Sequence, residues 1–164
     1  MPGIAMSSQP ISVDHVTITS KRPFSEVRAA LETNVPPLDT NIMVQLSNGD
    51  HDAIAHHEQH GPTLFIFLQR DHGALLAITG GRRNAVQYEI GNPIIASKMT
   101  RHNLMAALYA PLRIVLFEAD DGRAVFEYDK PSTLFGQIGN DEITRVGLYL
   151  DHELEAVLLK AAGE

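Results

Sequence analysis

Residues 88–113 read YEIGNPIIASKMTRHNLMAALYAPLR, and the arrangement of the chain follows from them. Val86, Tyr88 and Ile90 alternate with Gln87 and Glu89, the period of a strand with one face turned to a core. Gly91-Asn92-Pro93 breaks that strand sharply. Residues 94–108, rich in Ala, Met, Leu and Ile, read as one or two helical segments of a crossover. A second proline corner, Ala110-Pro111-Leu112-Arg113, opens the next strand. The two corners gather an asparagine, two tyrosines and an arginine beside apolar surface, which makes this stretch a candidate pocket.

Downstream, residues 112–118 and 123–129 form a hairpin around Asp120-Asp121-Gly122. An even-length loop sets Arg113, Val115 and Phe117 on the face of Ala124, Phe126 and Tyr128, a guanidinium among apolar groups beside a tyrosine. Leu112, Ile114 and Leu116 then make a second apolar face. Lys130-Pro131 ends the hairpin, and residues 132–138 are a connector. Residues 141–160 predict a helix with Ile143, Val146, Leu150, Leu154 and Val157 as its stripe. Asn140 can cap it, and Asp141-Glu142 complement its dipole.

Upstream, residues 12–19 (SVDHVTIT) are β-branched and read as a strand. Pro23 opens a helix that presents Phe24, Val27 and Leu31 on one face and stops near Asn34-Val35-Pro36-Pro37. Residues 38–61 are the least regular, with a short surface helix over 50–60. The run TLFIFL at 63–68 predicts a strand covered on both faces. Asp71-His72-Gly73 follows it, then 74–78 as a short helix or strand, and Gly80-Gly81 as a turn.

The chain has 164 residues, 44% hydrophobic and 20% charged, a composition ordinary for one globular domain. Its formal charge of −7 argues against nucleic acid or an anionic membrane as partner, because phosphate binding needs clustered Lys and Arg. The absence of cysteine excludes disulfides, thiolate nucleophiles and Cys-ligated metal, and fits a cytoplasmic location. Residues 1–11 lack the pattern of a signal peptide and read as a disordered tail before one domain at 12–162. No apolar run approaches the ~18 residues of a membrane span. There is no phosphate loop, dinucleotide fingerprint or Gly-x-Ser-x-Gly elbow, so no cofactor is expected.

The expected fold class is α+β, an antiparallel sheet with helices packed on one face and a cleft between the layers. Asp71-His72-Gly73, YEIGNP at 88–93, LYAPLR at 108–113, YDKPS at 128–132 and the last amphipathic helix carry a resemblance to a known family. In their order and spacing the chain resembles the bacterial, archaeal and fungal family known as domain of unknown function 302. The resemblance spans roughly residues 12–160 and is strongest over 62–135. It implies a TATA-binding-protein-like (TBP-like) α+β fold with a curved antiparallel sheet, often paired as a homodimer. It does not imply DNA binding. Many shorter relatives look to carry a Cys before the Asn-Pro; Gly91 stands here, so no thiol chemistry carries over.

His51, His56, His57 and His60 cluster with Asp50, Asp52 and Glu58. His56 and His60 have the i, i+4 spacing that can hold zinc, but the residue four after His57 is Gly61, so the His-Glu-x-x-His order fails. A solvated surface helix is the alternative, and no metal is assigned. His72, after a buried strand, is a candidate acid/base. Arg113 is a candidate anion-binding or oxyanion-stabilising group, with Asp129 or Glu89 as possible salt-bridge partners instead. Tyr88, Tyr109, Tyr128, Asp129 and the Asn92 amide complete the expected ligand-binding set, although tyrosines of this kind also serve as core and Asn92 as a corner stabiliser. The preferred reading is a homodimeric domain binding a small anionic or carbonyl-bearing organic molecule between sheet and helices. A cofactor-free isomerase, cyclase or lyase using His72 and Arg113 is the alternative, and an interaction module the third.

Overall fold

A computed structural model describes residues 3–164. Of the expected tail, residues 1–2 lie outside the described residues, and 3–14 contain no helix or strand. The strands are β1 (His15–Ser20), β2 (Phe65–Asp71), β3 (Ala85–Gly91), β4 (Leu112–Glu118) and β5 (Ala124–Asp129). Between β1 and β2 lie α1 (Phe24–Asn34), α2 (Asn41–Ser47) and α3 (His51–His60). A short α4 (His72–Leu75) follows β2, and α5 (Pro93–Thr100) with a 3-10 segment (Leu104–Tyr109) links β3 to β4. The chain ends in α6 (Pro131–Phe135) and the long α7 (Asp141–Ala162). None of the described helices is long and apolar enough to cross a membrane.

The sheet has five strands in the order β1-β5-β4-β3-β2, every pair antiparallel. It is an α+β fold, as the sequence predicts. Both long helices, α1 and α7, lie over one face. Beneath them Val86, Tyr88 and Ile90 of β3 meet Ile114 and Leu116 of β4 and Phe126 and Tyr128 of β5. The α7 stripe forms as the 3.6-residue period requires, with Ile143, Leu150 and Leu154 buried as expected, Val146 and Val157 only partly so, and Leu158 in the deep position instead of Val157. Each such side chain contributes about 1.5–3 kcal/mol by leaving water. Gly147 interrupts the stripe because α6 comes too close for a larger residue: a β-carbon there would sit 3.1 Å from the Ser132 Cα. Asp151, also buried, fixes the start of α6 by accepting the Ser132 N–H at 2.7 Å.

The hairpin register corrects one expectation. Ile114 pairs with Tyr128 and Leu116 with Phe126, so Arg113, Val115 and Phe117 point away from the helices. The cause is the loop. Ala119 N–H donates to Arg123 O at 2.9 Å, which leaves three residues, 120–122, in the turn, with Gly122 at φ +84°. Counting that turn as even moves every side chain to the opposite face. Leu112, Ile114 and Leu116 are accordingly 5%, 1% and 0% exposed within the chain's own core. They are not a second apolar face for pairing with another copy.

The TLFIFL run also behaves differently at its two ends. Phe65 and Ile66 are buried on opposite faces, Ile66 in the main core and Phe65 in a smaller cluster with Ile42 and Ile94. Beyond a bulge between Ile66 and Leu68, the strand runs along the sheet edge, and Leu68 is 43% exposed. Helix α2, which brings Ile42 to the smaller cluster, lies in the stretch that the sequence left irregular.

Candidate functional site

The two proline corners do meet at a cleft, of about 430 Å³. Asn92 builds the first. Its backbone is extended (φ −146°, ψ 122°), its side-chain oxygen accepts the Ile94 N–H at 2.9 Å, and Pro93 supplies a preset first helical residue for α5. The Asn92 amide donates to Thr63 O at 3.0 Å and so ties the corner to the entry of β2. The second corner contains a cis Ala110–Pro111 peptide. Between them Phe67, Gly91, Ile95, Met99, Pro111 and Leu112 give the cleft an apolar lining.

Its polar groups are few: Glu89, Asn92, Ser97 and Thr100. The Ser97 hydroxyl donates to Ile94 O at 2.7 Å and the Thr100 hydroxyl to Ala96 O at 3.2 Å. Their protons are bonded inside α5, which leaves both oxygens able to accept. One Glu89 oxygen accepts from Arg70 at 2.7 Å. The cleft therefore offers acceptors on an apolar wall. A β-carbon at Gly91 would meet Phe67 and Pro111 at 3.6 Å, ordinary contact, so a side chain at that position would line the same space.

The remaining residues singled out in the sequence lie elsewhere. Tyr88 is 0% exposed, and its hydroxyl donates to Glu32 Oε1 at 2.9 Å. The same oxygen accepts Arg28 Nε at 2.9 Å. Burial and then the Glu32 carboxylate raise the Tyr88 phenol well above its ordinary range. Tyr128 is buried beneath α7, where burial and the Glu155 and Asp151 carboxylates push its phenol up to about 12. Tyr109 is half-buried and meets the Phe135 ring edge-on at 6.0 Å.

Arg113 is exposed on the sheet face opposite α1 and α7, in a shallow depression of about 200 Å³ with His15, Gln87 and Glu127. Neither expected partner takes it. Glu89 bonds Arg70, and Asp129 bonds His15 at 3.0 Å. His72, also exposed, opens α4 after Asp71. Asp71 pairs with Val86 and Arg113 with Glu89, so their backbones stand three residues and two strands apart. That is about 10 Å along the strands and about 10 Å across them. Acid–base work at His72 with an oxyanion at Arg113 needs both side chains at one reacting group, and this geometry does not bring them together.

On α3, His56 and His60 stack at 4.9 Å, and His57 bonds Gln45 at 2.9 Å. Among the described residues no three His, Asp or Glu side chains converge as a metal would require. Sequence reasoning missed Glu32 and Arg28, which order the core beneath α1. Their i, i+4 spacing was a legible ion-pair signal; the buried hydroxyl that joins them was not.

Fold and cleft together define an open, five-stranded antiparallel α+β domain with an apolar cavity at the corners that flank its crossover. The family described as domain of unknown function DUF302 matches residues 57–161, and the chain belongs to that family. It is also similar to a crystal structure of an uncharacterized conserved DUF302 protein from Bacillus stearothermophilus, at 17% identity and a TM-score of 0.65. The likeness covers 90% of this chain and 97% of that one, and at this identity it is a likeness of fold. Among curated proteins none matches the chain.

Proposed function

We propose that this protein binds a small, largely apolar organic molecule carrying a hydrogen-bond donor, in the cleft between the Asn92 and Pro111 corners. The observation that carries the reading is the cleft's chemistry: about 430 Å³ of space with apolar walls, hydroxyl and carboxylate oxygens, and an Asn92 amide that donates to Thr63 O. That volume falls in the range of small-molecule sites, and few polar groups on apolar walls are their usual composition. An anionic or carbonyl-bearing ligand, the class expected from Arg113, needs donors, and the donors of this lining, the Asn92 amide and the Ser97 and Thr100 hydroxyls, are already bonded to backbone carbonyls. In this reading residues 12–162 act as one domain, every lining group comes from one chain, and no cofactor is invoked.

The test uses N-phenylnaphthylamine, an uncharged fluorescent probe with apolar rings and one N–H. Its emission should rise saturably with the native protein. Ala96→Phe, which fills the cleft from α5, should weaken uptake about tenfold. If that variant does not fold, Thr100→Phe takes its place. His72→Ala and Arg113→Ala should leave uptake unchanged. No saturable uptake by native protein, or uptake indifferent to the filling substitution, overturns the proposal.

A further inference from the structure

A second cleft, of about 340 Å³, opens between α1 and the connections at one end of the sheet. Its charged lining is Arg28 of α1, Asp71 at the end of β2, Arg82 and Arg83 of the β2–β3 connection, Glu118 at the end of β4, and Asp120 of the β4–β5 loop. We propose that this cleft binds a small zwitterion, with an ammonium and a carboxylate or phosphate on one short skeleton.

The charges that remain unspent carry the argument. Arg83 is committed to Asp120 at 2.7 Å, and Arg28 to Glu32 at 2.9 Å. Among the described residues Arg82 makes no ion pair. On the acidic side, Asp71 Oδ1 accepts the Ala74 N–H at 2.8 Å and Glu118 Oε2 accepts from Asn84 at 3.4 Å, which leaves Oδ2 and Oε1 free to accept. A bare anion entering the cleft meets Asp71, Glu118 and Asp120. A bare cation meets Arg28, Arg82 and Arg83. A zwitterion satisfies both sets, with its oxyanion on the Arg82 guanidinium fork and its ammonium on the spare carboxylate oxygens.

Part of the site is held in place before any ligand arrives. A β-carbon at Gly73 would overlap the Arg83 carbonyl and lie 2.9 Å from Ala85 N, so the connection carrying Arg82 and Arg83 packs directly on the start of α4. Arg28 is fixed by the Glu32 oxygen that also takes the buried Tyr88 hydroxyl. Asp71 is fixed by its capping bond. Arg28 and Asp71, already ordered, lose little entropy on binding, whereas the exposed Arg82 side chain is ordered by the ligand it takes. The Asp71-His72-Gly73 motif thereby gains a role that does not depend on its histidine: Asp71 lines the cleft and Gly73 admits the loop.

Arginine Nε–H signals in NMR spectra of the full chain provide the test. The probes are glycine, β-alanine, γ-aminobutyrate and phosphoethanolamine, with acetate, inorganic phosphate and methylammonium for comparison. At least one zwitterion should move the Arg82 signal saturably, about tenfold more tightly than the single-charge probes. Phosphoethanolamine against the amino acids separates phosphate from carboxylate preference. Arg82→Gln and Glu118→Gln, read at the Arg28 and Arg83 signals of the same cleft, should each weaken binding about tenfold, with the fold of each variant verified by circular dichroism. No saturable shift with any zwitterion overturns the proposal. So does acetate or phosphate binding as tightly as the zwitterions, or binding indifferent to both substitutions. N-phenylnaphthylamine uptake reads the other cleft and is independent of every one of these outcomes.

Discussion

On one face of the sheet Tyr88, Leu116 and Phe126 are sealed beneath α1 and α7; on the other His15, Gln87, Arg113 and Glu127 meet solvent. The two sets alternate along the same strands, so composition does not separate them. Register does. The covered face accepts one polar group per partner, as in Tyr88 to Glu32, because an unpaired group there pays its full desolvation. The open face carries exposed contacts such as the His15–Asp129 hydrogen bond and the Arg70–Glu89 ion pair, which water screens and which contribute little to stability. The lesson is that the same side-chain chemistry has a different consequence on each side of the sheet.

The contrast breaks first, and most visibly, with a pair of phenylalanines. Phe126 is 1% exposed in the core, and Phe117 is half-buried on the open face. Phe126→Ala should cost about 3–5 kcal/mol in urea unfolding, through lost transfer energy and the cavity left behind. Phe117→Ala should cost less than half as much. Equal losses would mean that the open face is packed against something in solution.

A pH titration sharpens the same contrast at intermediate size. An unfolded tyrosine gives up its proton near pH 10, whereas folded Tyr128 keeps it up to about 12. Between those values the unfolded chain binds fewer protons than the folded one, so stability is intact below pH 10 and falls as pH rises through the window. Tyr128→Phe should flatten part of that alkaline slope in unfolding experiments. Tyr88, whose phenol is shifted in the same direction, contributes to the slope that remains. A slope unchanged by Tyr128→Phe would refute a buried, raised Tyr128.

Most of the architecture was legible because it rests on local rules. The Asn92-Pro93 and Asn140 caps, the α1 face of Phe24, Val27 and Leu31, and the α7 stripe each follow from residues a few positions apart. The side of the sheet on which Arg113 falls was not legible in the same way. It depends on whether Asp120-Asp121-Gly122 holds two or three turn residues, and one residue of difference inverts a strand. The corner cleft was legible as a place, since the sequence puts a candidate pocket at the two proline corners, but neither its lining nor the second cleft was, for a further reason. Gly91 and Pro111 meet only once β3 and β4 are paired, and Arg28 and Arg82 converge only after α1 lies across the sheet; long-range packing decides such meetings.

The smallest effect belongs to Arg113, the cation on that inverted strand. Arg113 is exposed, and among the described residues no carboxylate takes its guanidinium. Arg113→Ala should therefore change unfolding free energy by no more than about 0.5 kcal/mol, as for a surface substitution without a partner. Had the even-length turn held, the same side chain would stand with Phe126 and Tyr128 as an unpaired charge in a dry core, a state that costs several kcal/mol. Its replacement by Ala would then stabilise the chain markedly. A small change in urea midpoint places Arg113 in water, and a large gain in stability would place it in the core and reverse the register on which both faces are assigned.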